Sequence, residues 1–519
     1  MDDQSAAIAF LSDPASYDTK TSVERMETHA SIVFLVGERA YKLKRAVSFS
    51  YLDYATVEAR KRACESEYRL NLRTAPSLYL AVRSIRRGKG GGLSFDGPGD
   101  LVDSVVVMRR FDQASLLDNL ARRGGLNRPL MQELADAIAA FHRSAEVDRE
   151  YGGPARLSEV IESNGANLAL ASPLLFAKQA VDELTAMSGA SLRRWEGLIE
   201  ERRQAGKVRL CHGDLHLRNI CMIEGHPTLF DCVEFNRALA CIDTLYDLSF
   251  LLMDLIHRDF CDWASFVFNR YFDRETEIEG VVLLPLFMSL HAAIRAHVTA
   301  ASPEAKPGSA SFEQLRGDAR RYFAEASRLL VTRQPQLLAI GGPSGTGKST
   351  LAYALAPALG HAPGARVLRS DVIRKRLLAL PPETRLPPEA YSTAATRRVY
   401  AAMLEEARAL LASGQSVILD AVFAKPQQRA AARSLAGGTL RFHGIWLDAP
   451  SAVLEARIET RSNDASDATL EVVRQQLRGL ERPSDWSILD ATGSLPDILA
   501  GARDILSGGA PRPVAPAPR

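Results

Sequence analysis

Apolar residues fall along this chain in two rhythms, and the rhythm changes near residue 300. Beyond it, short continuous runs stop at a glycine or an acid: Leu337-Leu338-Ala339-Ile340 before Gly341-Gly342, Ser416-Val417-Ile418-Leu419 before Asp420, and Gly444-Ile445-Trp446-Leu447. Runs of that length bounded by turn signals predict short buried strands. Arg366-Val367-Leu368-Arg369, followed by Ser370-Asp371, predicts a further strand with an acid at its C-terminal end. Between these strands the spacing widens to a helical period, at Leu351, Leu355 and Leu359 before Gly360, and again over residues 453–461. Strands that alternate with helices predict an α/β domain with a parallel sheet.

Ahead of residue 300 the strands come as hairpins. Ser31-Ile32-Val33-Phe34-Leu35-Val36, a Gly37-Glu38 turn and Arg39-Ala40-Tyr41-Lys42-Leu43-Lys44 predict one, and residues 220–223 and 228–230 around Glu224-Gly225-His226 predict another. Val105-Val106-Val107-Met108 predicts a strand, residues 57–72 a charged helix, and Leu130, Leu134, Ile138 and Phe141 a helix with one apolar face. The longest apolar run, residues 281–294, contains Pro285 and falls short of the ~20 residues a membrane span needs, so a buried core helix is expected. Residues 301–311 carry Pro303, Pro307 and Gly308 and predict a linker, while residues 508–519, with four prolines and two glycines, predict a disordered tail.

Composition narrows the classes. At 519 residues, and ~150 per domain, the chain has room for roughly three structural units. Hydrophobic residues at 46% and charged residues at 24% are globular proportions and exclude bulk disorder. A net charge of +2 gives no general attraction to nucleic acid or anionic lipid, so such a partner would need a local patch. Six cysteines without a C-x-x-C pair make neither a disulfide framework nor a zinc ribbon, and the start Met1-Asp2-Asp3-Gln4 has no basic segment and apolar run of a secretory signal. A reducing cytoplasm and no membrane are expected.

The strongest chemical signal is Gly342-Pro343-Ser344-Gly345-Thr346-Gly347-Lys348-Ser349, which fits G-x-x-x-x-G-K-[ST] between a predicted strand and a predicted helix that Thr350 continues. Glycines let backbone N–H groups curl around a phosphate, and the helix N-terminus adds its positive end. Lys348 is expected to bridge the β- and γ-phosphates of ATP and Ser349 to hold Mg²⁺. Asp371 and Asp420 end strands where ligands bind in open α/β sheets, Asp371 facing an acceptor and Asp420 beside the phosphate loop. Arg457 and Arg461, four apart on a predicted helix, share one face and could clamp phosphates, ahead of a polar lid tip at residues 462–467.

Loop, acid, acid and lid in this order resemble the small P-loop kinases, the gluconate-kinase-like and polynucleotide-kinase-like group of the nucleoside-monophosphate-kinase fold, over about residues 335–507. The resemblance implies Asp371 as the acceptor-side acid and Arg374 as an acceptor or phosphate contact. It leaves the acceptor open.

A second constellation stands in the first 330 residues. Cys211-His212-Gly213-Asp214-Leu215-His216-Leu217-Arg218-Asn219 fits H-x-D-x-x-x-x-N, and the hairpin after it delivers Asp231 back beside the loop. In kinase-type sites such an Asp accepts the acceptor's hydroxyl proton, and such an Asn reaches Mg²⁺. Asp214 is thus the expected base, and Asn219 and Asp231 the metal ligands. His212 and His216 lack a third partner for zinc. Alternation puts Lys42 and Lys44 on one strand face, either able to bind phosphate, with Glu65 and Glu67 as possible ion-pair partners.

These residues resemble the aminoglycoside-phosphotransferase-like branch of the protein-kinase-like fold, whose loop reads H-G-D-x-H-x-x-N, over about residues 20–300. No G-x-G-x-x-G precedes the lysine strand, which is normal for that branch, and Cys232-Val233 follow Asp231 where protein kinases have Phe-Gly. The whole chain resembles the bifunctional aminoglycoside phosphotransferase/ATP-binding proteins. That implies a multidomain α/β and α+β fold: a two-lobed kinase-like domain over 1–330 (N-lobe about 20–115, C-lobe about 116–300, connection 301–330), then a P-loop domain over 331–507.

The expected function is transfer of the γ-phosphoryl group of ATP, with Mg²⁺, to small-molecule hydroxyl acceptors at two nucleotide sites. Two alternatives compete. One is a regulatory ATP-binding protein with a silent kinase-like half, against which the complete set Asp214, Asn219 and Asp231 speaks. The other is a nucleic-acid end-processing enzyme, resting on the basic cluster Arg369, Arg374, Lys375 and Arg376 but lacking interleaved aromatics. Asp273, Glu275, Glu277 and Glu279, the one dense acidic run near the C-lobe, are expected to form a solvated face rather than a pocket for a polycation.

Overall fold

The computed structural model describes residues 2–17, 21–28, 30–49, 52–171, 174–275, 277–302, 309, 311–459 and 466–508. By compactness these fall into two units, one of residues 1–162 and 192–254, the other of residues 163–191 and 255–519. That division does not follow the motif boundary at residue 330, because residues 255–330 group with the P-loop sheet. Most of the expected linker, most of the expected lid tip and nearly all of the expected tail lie outside the described residues.

In the first unit α1 (Ser5–Ser12) precedes β1 (Val23–Glu27), β2 (Ser31–Val36) and β3 (Arg39–Lys44); α2 (Val57–Asn71) leads to β4 (Tyr79–Arg87), β5 (Leu93–Phe95) and β6 (Asp100–Arg109). The sheet runs β1-β2-β3-β6-β4-β5 with every pair antiparallel. Period-two alternation sorts its two faces. Ile32, Phe34, Val36, Tyr41, Leu43, Val105 and Val107 pack with Ala7 and Leu11 of α1, while Ala40 and Val106 pack with Cys64 of α2. Lys42 and Lys44 share the phase of Ala40 and so face α2.

Helix α1 had no counterpart in the sequence reading. It is tied down by Gln4, whose amide donates to the Lys44 carbonyl and to Asp103, each at 2.8 Å, and accepts from Ala46 N at 2.6 Å. The rest of the unit holds α3 (Arg128–Ser144), β7 (Val208–Leu210), the hairpin β8 (Ile220–Ile223) and β9 (His226–Leu229), β10 (Cys241–Asp243) and α4 (Thr244–His257). On α3 the expected face, Leu130, Leu134, Ile138 and Phe141, is the buried one.

Besides residues 163–191, the second unit holds α5 (Cys261–Arg274), α6 (Leu284–Ala300) and α7 (Phe312–Leu329). Residues 279–300 are the one helical stretch, among those described, apolar and long enough to cross a membrane, yet 67% of its most apolar window is buried, as expected of a core helix. The P-loop fold follows: β11 (Gln336–Gly341), α8 (Lys348–Leu355), β12 (Arg366–Arg369), α9 (Ser370–Arg376), α10 (Thr393–Ala412), β13 (Val417–Asp420), β14 (Arg441–Asp448), α11 (Ser451–Glu459), α12 (Leu470–Gly479), β15 (Ser487–Asp490) and α13 (Leu495–Leu506). The sheet order is β12-β13-β11-β14-β15, parallel throughout, so the C-terminal ends of β11, β12 and β13 meet on one side of the sheet.

Strand β12 lies at the edge of that sheet, and α5 covers it. The Asn269 side chain accepts from Val367 N at 2.7 Å and donates to the Ala365 carbonyl at 3.1 Å, the two bonds a neighbouring strand would supply. Arg366, 2% exposed, is paired with Asp273 at 2.7 Å. Asp273 is therefore no part of a solvated acidic face: it lies buried because a buried guanidinium needs a counter-charge.

Candidate active sites

In the first unit the hairpin of β2 and β3, helix α2 and the segment after β9 bring together groups far apart in sequence. Lys42 Nζ lies 2.8 Å from Glu67 Oε1 and 2.6 Å from Asp231 Oδ1. Lys44 also meets Glu67, from the other carboxylate oxygen, and then Glu234. Glu65 sits on the exposed side of α2, 3.7 Å from Lys61, so Glu67 is the acid brought to the lysines. Burial alone would raise the Glu67 carboxyl, but Lys42 and Lys44 hold it down at about 2. Burial alone would lower the Lys42 ammonium, and Asp231 and Glu67 outweigh it and hold it above its ordinary range.

The loop between β7 and β8 carries Asp214 and Asn219. The Asn219 amide donates to the Asp214 carbonyl at 2.9 Å and to its Oδ2 at 2.8 Å, and His216 Nε2 lies 3.4 Å from the same carboxylate. His212 is buried, with Nε2 2.9 Å from the Phe230 carbonyl and Nδ1 3.3 Å from Asp214 N; burial alone would lower its imidazole, but Cys232, Asp247 and Asp214 raise it to about 9. Asp231 adopts φ 63°, a left-handed backbone uncommon outside glycine, and its N–H donates to the Tyr79 hydroxyl at 3.2 Å.

Residues that the motif reading missed hold this loop in place. Asp247 of α4 accepts from His142 Nε2 at 2.9 Å, His212 N at 3.2 Å and Gly213 N at 2.8 Å; Asp254 accepts from Leu217 N at 3.1 Å. Burial would raise the Asp247 carboxyl, but the His142 bond and nearby charges bring it below its ordinary value. The visible signal was two acids seven apart, on one face, in an otherwise apolar stretch. His142, Cys211 and Asp247 also lie close enough to suggest a metal site. The chemistry argues otherwise, since the carboxylate is committed to N–H donors and burial pushes the Cys211 thiol well above its ordinary value.

In the second unit the phosphate loop joins β11 to α8. Gly342, Gly345 and Gly347 have φ of 132°, 89° and 88°, and a Cβ on Gly342 would collide with the Leu447 carbonyl oxygen. Lys348 Nζ donates to the Pro343 carbonyl at 2.9 Å, Thr346 Oγ1 to the same carbonyl at 2.8 Å, and Thr350 is exposed on the first turn of α8. Ser344 N donates to Gln476 Oε1 of α12 at 2.9 Å. Ser349 Oγ lies 2.5 Å from Asp420 Oδ2, and Arg369 Nε 3.6 Å from the same oxygen. Burial pushes the Asp420 carboxyl up, against the pull of Arg369 and Lys348.

Asp371 is half-buried in the first turn of α9, near enough for its charge to act on Asp420, Tyr391 and Tyr400. Arg374 stacks over Tyr391, 4.6 Å from the ring centre. Asp467, the last residue of the expected lid tip, accepts from Tyr391 at 2.6 Å and Leu386 N at 3.2 Å and pairs with Lys375 at 3.2 Å. The basic cluster weighed for nucleic acid is not a surface patch: Arg369, Arg374 and Lys375 are buried, and Arg376 pairs with Glu406. Arg457 is half-buried on α11, and Arg461 lies outside the described residues.

Fold and sites together define a kinase-like phosphotransferase domain followed by a P-loop kinase-like domain. Residues 96–280 match the family described as phosphotransferase enzyme family, and residues 337–483 the family described as AAA domain. Uncharacterized proteins of Mycobacterium tuberculosis and Mycobacterium bovis are 31% identical over 484 residues, covering 89% of this chain and 91% of theirs. The chain belongs to their family, that of the bifunctional aminoglycoside phosphotransferase/ATP-binding proteins.

Solved structures resemble parts of the chain. A gluconokinase from Sinorhizobium meliloti 1021 covers 34% of this chain and 93% of its own at 25% identity and a TM-score of 0.25. A choline/ethanolamine kinase family protein from Mesorhizobium loti covers 63% of this chain and 94% of its own at 14% identity and 0.37. A thermostable mutant of aminoglycoside phosphotransferase APH(4)-Ia covers 62% of this chain and 97% of its own at 14% identity and 0.38.

Proposed function

We propose that this chain transfers the γ-phosphoryl group of ATP to small-molecule hydroxyl acceptors at two separate sites, one in each half. The observation that carries the reading is the convergence of Lys42, Glu67 and Asp231 in one half, where the sequence separates them widely, beside a loop in which Asn219 orients Asp214.

In the kinase-like half Asp214 takes the proton of the acceptor hydroxyl as its oxygen attacks the γ-phosphorus and the bond to the β-phosphate oxygen breaks, releasing ADP. Lys42 pairs with phosphate. In the P-loop half the backbone N–H groups of residues 342–349 cradle phosphates, Lys348 meets the charge that grows during transfer, and Asp371 orients or deprotonates the acceptor. Arg457 and Arg461 are proposed phosphate contacts from the lid.

Both sites offer the hard oxygen donors that Mg²⁺ prefers. Asn219 donates through its amide nitrogen, which leaves its carbonyl oxygen for an ion, and Asp231 has a 40% exposed carboxylate. In the other half Ser349 and Asp420 share a hydrogen bond at the strand ends. Bound there, Mg²⁺ would neutralise phosphate charge. Six free cysteines support a reducing compartment.

The test uses full-length protein, labelled ATP and a metabolite extract. Wild type, Asp214→Ala and Lys348→Ala are compared for the phosphorylated products each makes. We expect each variant to lose a different product; Asp214→Ala losing none would leave the kinase-like half as a silent nucleotide-binding scaffold.

A further inference from the structure

Two lysines, not one, meet Glu67. The alternation of β3 that brings Lys42 to the α2 face brings Lys44 there too, and the carboxylate is divided between them, Oε1 to Lys42 and Oε2 to Lys44. Past Glu67 their surroundings diverge. Lys42 goes on to Asp231, and its side chain is 14% exposed. Lys44, 3% exposed, goes on to Glu234, whose same oxygen accepts from the Tyr54 hydroxyl at 2.5 Å. Tyr54 is buried, and its ring centre lies 5.4 Å from Lys44 Nζ.

Glu234 follows Asp231 by three residues, so the segment that carries Asp231 is tied to the sheet twice, once through each lysine. The charges explain why one tie is not enough. If Lys42 were the sole partner of the fully buried Glu67, turning it toward a phosphate would strip the carboxylate of its counter-charge, and a bare buried charge is strongly disfavoured. With Lys44 in place, Glu67 keeps a cation whichever way Lys42 points. Lys44 itself has no open side from which to reach a ligand, because Glu67, Glu234 and the Tyr54 ring surround it.

We infer that Lys44, Glu234 and Tyr54 form a fixed anchor that keeps Glu67 neutralised and the Asp231 segment in register, so that Lys42 is the exchangeable cation that turns from Asp231 to nucleotide phosphate. The three are positioning residues, acting through Lys42 and Asp231. The inference rests on the phosphotransferase reading of the kinase-like half.

A double-mutant cycle in the full-length chain tests it, in a Lys348→Ala background that weakens the other nucleotide site. Binding of ATP·Mg²⁺ is measured by calorimetry for Lys42→Met, Lys44→Met and the pair, with thermal unfolding of each chain without nucleotide. Lys44→Met is expected to weaken binding on the order of tenfold when Lys42 is present and by much less once Lys42→Met has been made, since partners in one network couple. Equal losses in both backgrounds would overturn the inference. If Lys44→Met does not fold, Tyr54→Phe, which removes a single hydroxyl, carries the same cycle: a loss that disappears with Lys42→Met supports the anchor, and a loss that persists overturns it. Should the Lys348→Ala chain with both lysines intact bind no ATP·Mg²⁺ at the kinase-like site, the underlying reading fails, and the inference with it.

Discussion

Glu67 shows how far one side chain can be moved by its neighbours. Its carboxyl, fully buried, would be raised by desolvation, yet the two lysines bring it to about 2 against an ordinary 4.5. Because the folded value lies below the unfolded one, the stability it contributes is complete above about pH 4.5 and is lost as pH falls toward 2. Glu67→Gln should therefore lower stability near neutrality and flatten its decline across that window. Denaturant unfolding at a series of pH values from 7 to 2 measures both; an unchanged slope below pH 4.5 would show that Glu67 is not the group titrating there.

Among the elements, the phosphate loop is where backbone and function are hardest to separate. Two of its glycines differ in a way that can be tested. Gly347 has φ 88° with open space where a Cβ would go, whereas Gly342 combines φ 132° with a collision against the Leu447 carbonyl. Gly347→Ala should cost about 1–2 kcal/mol in backbone strain, and should weaken nucleotide binding in the P-loop half without abolishing it. Gly342→Ala must displace the loop from β14, and should abolish binding in the P-loop half while leaving the kinase-like site intact. Nucleotide titration of the two full-length variants, each fitted for two sites, distinguishes these outcomes.

The same elements show why parts of the molecule were legible in sequence and parts were not. Strands β11 and β13 of the P-loop sheet are buried on both faces and read as apolar runs; the β2–β3 hairpin and α3 show their periods openly. Helix α1 was invisible because its anchor is a glutamine bonded to groups dozens of residues away. Lys42 and Lys44 share a strand face, so only the positions of Glu67, Asp231 and Glu234 around them tell their surroundings apart. Asp273 read as one acid in a solvated run because its partner, Arg366, lies 93 positions downstream.

At the scale of the whole molecule, the near-neutral charge and the burial of Arg369, Arg374 and Lys375 leave the nucleic-acid reading without its patch. The second unit depends on residues that precede the P-loop fold. Removing the Asp273 carboxylate strands a buried guanidinium, and breaking such a pair typically costs about 3–5 kcal/mol. Asp273→Ala in the full-length chain should reduce the stability of the P-loop unit by that order in denaturant, and a fragment of residues 331–519 should fail to give a cooperative transition. A fragment as stable as the full chain would show that α5 is dispensable.

Asn269 has a consequence for descent as well. It lies inside the stretch that matches the phosphotransferase family, yet its amide completes the edge of the sheet that belongs to the other family. Once β12 came to rely on that amide, a gene segment copied out at the boundary between the two families would encode a sheet with an open edge. Among relatives, substitutions at Asn269 and Asp273 should track those at Arg366, rather than those around Asp214, so part of the first half's sequence records the history of the second.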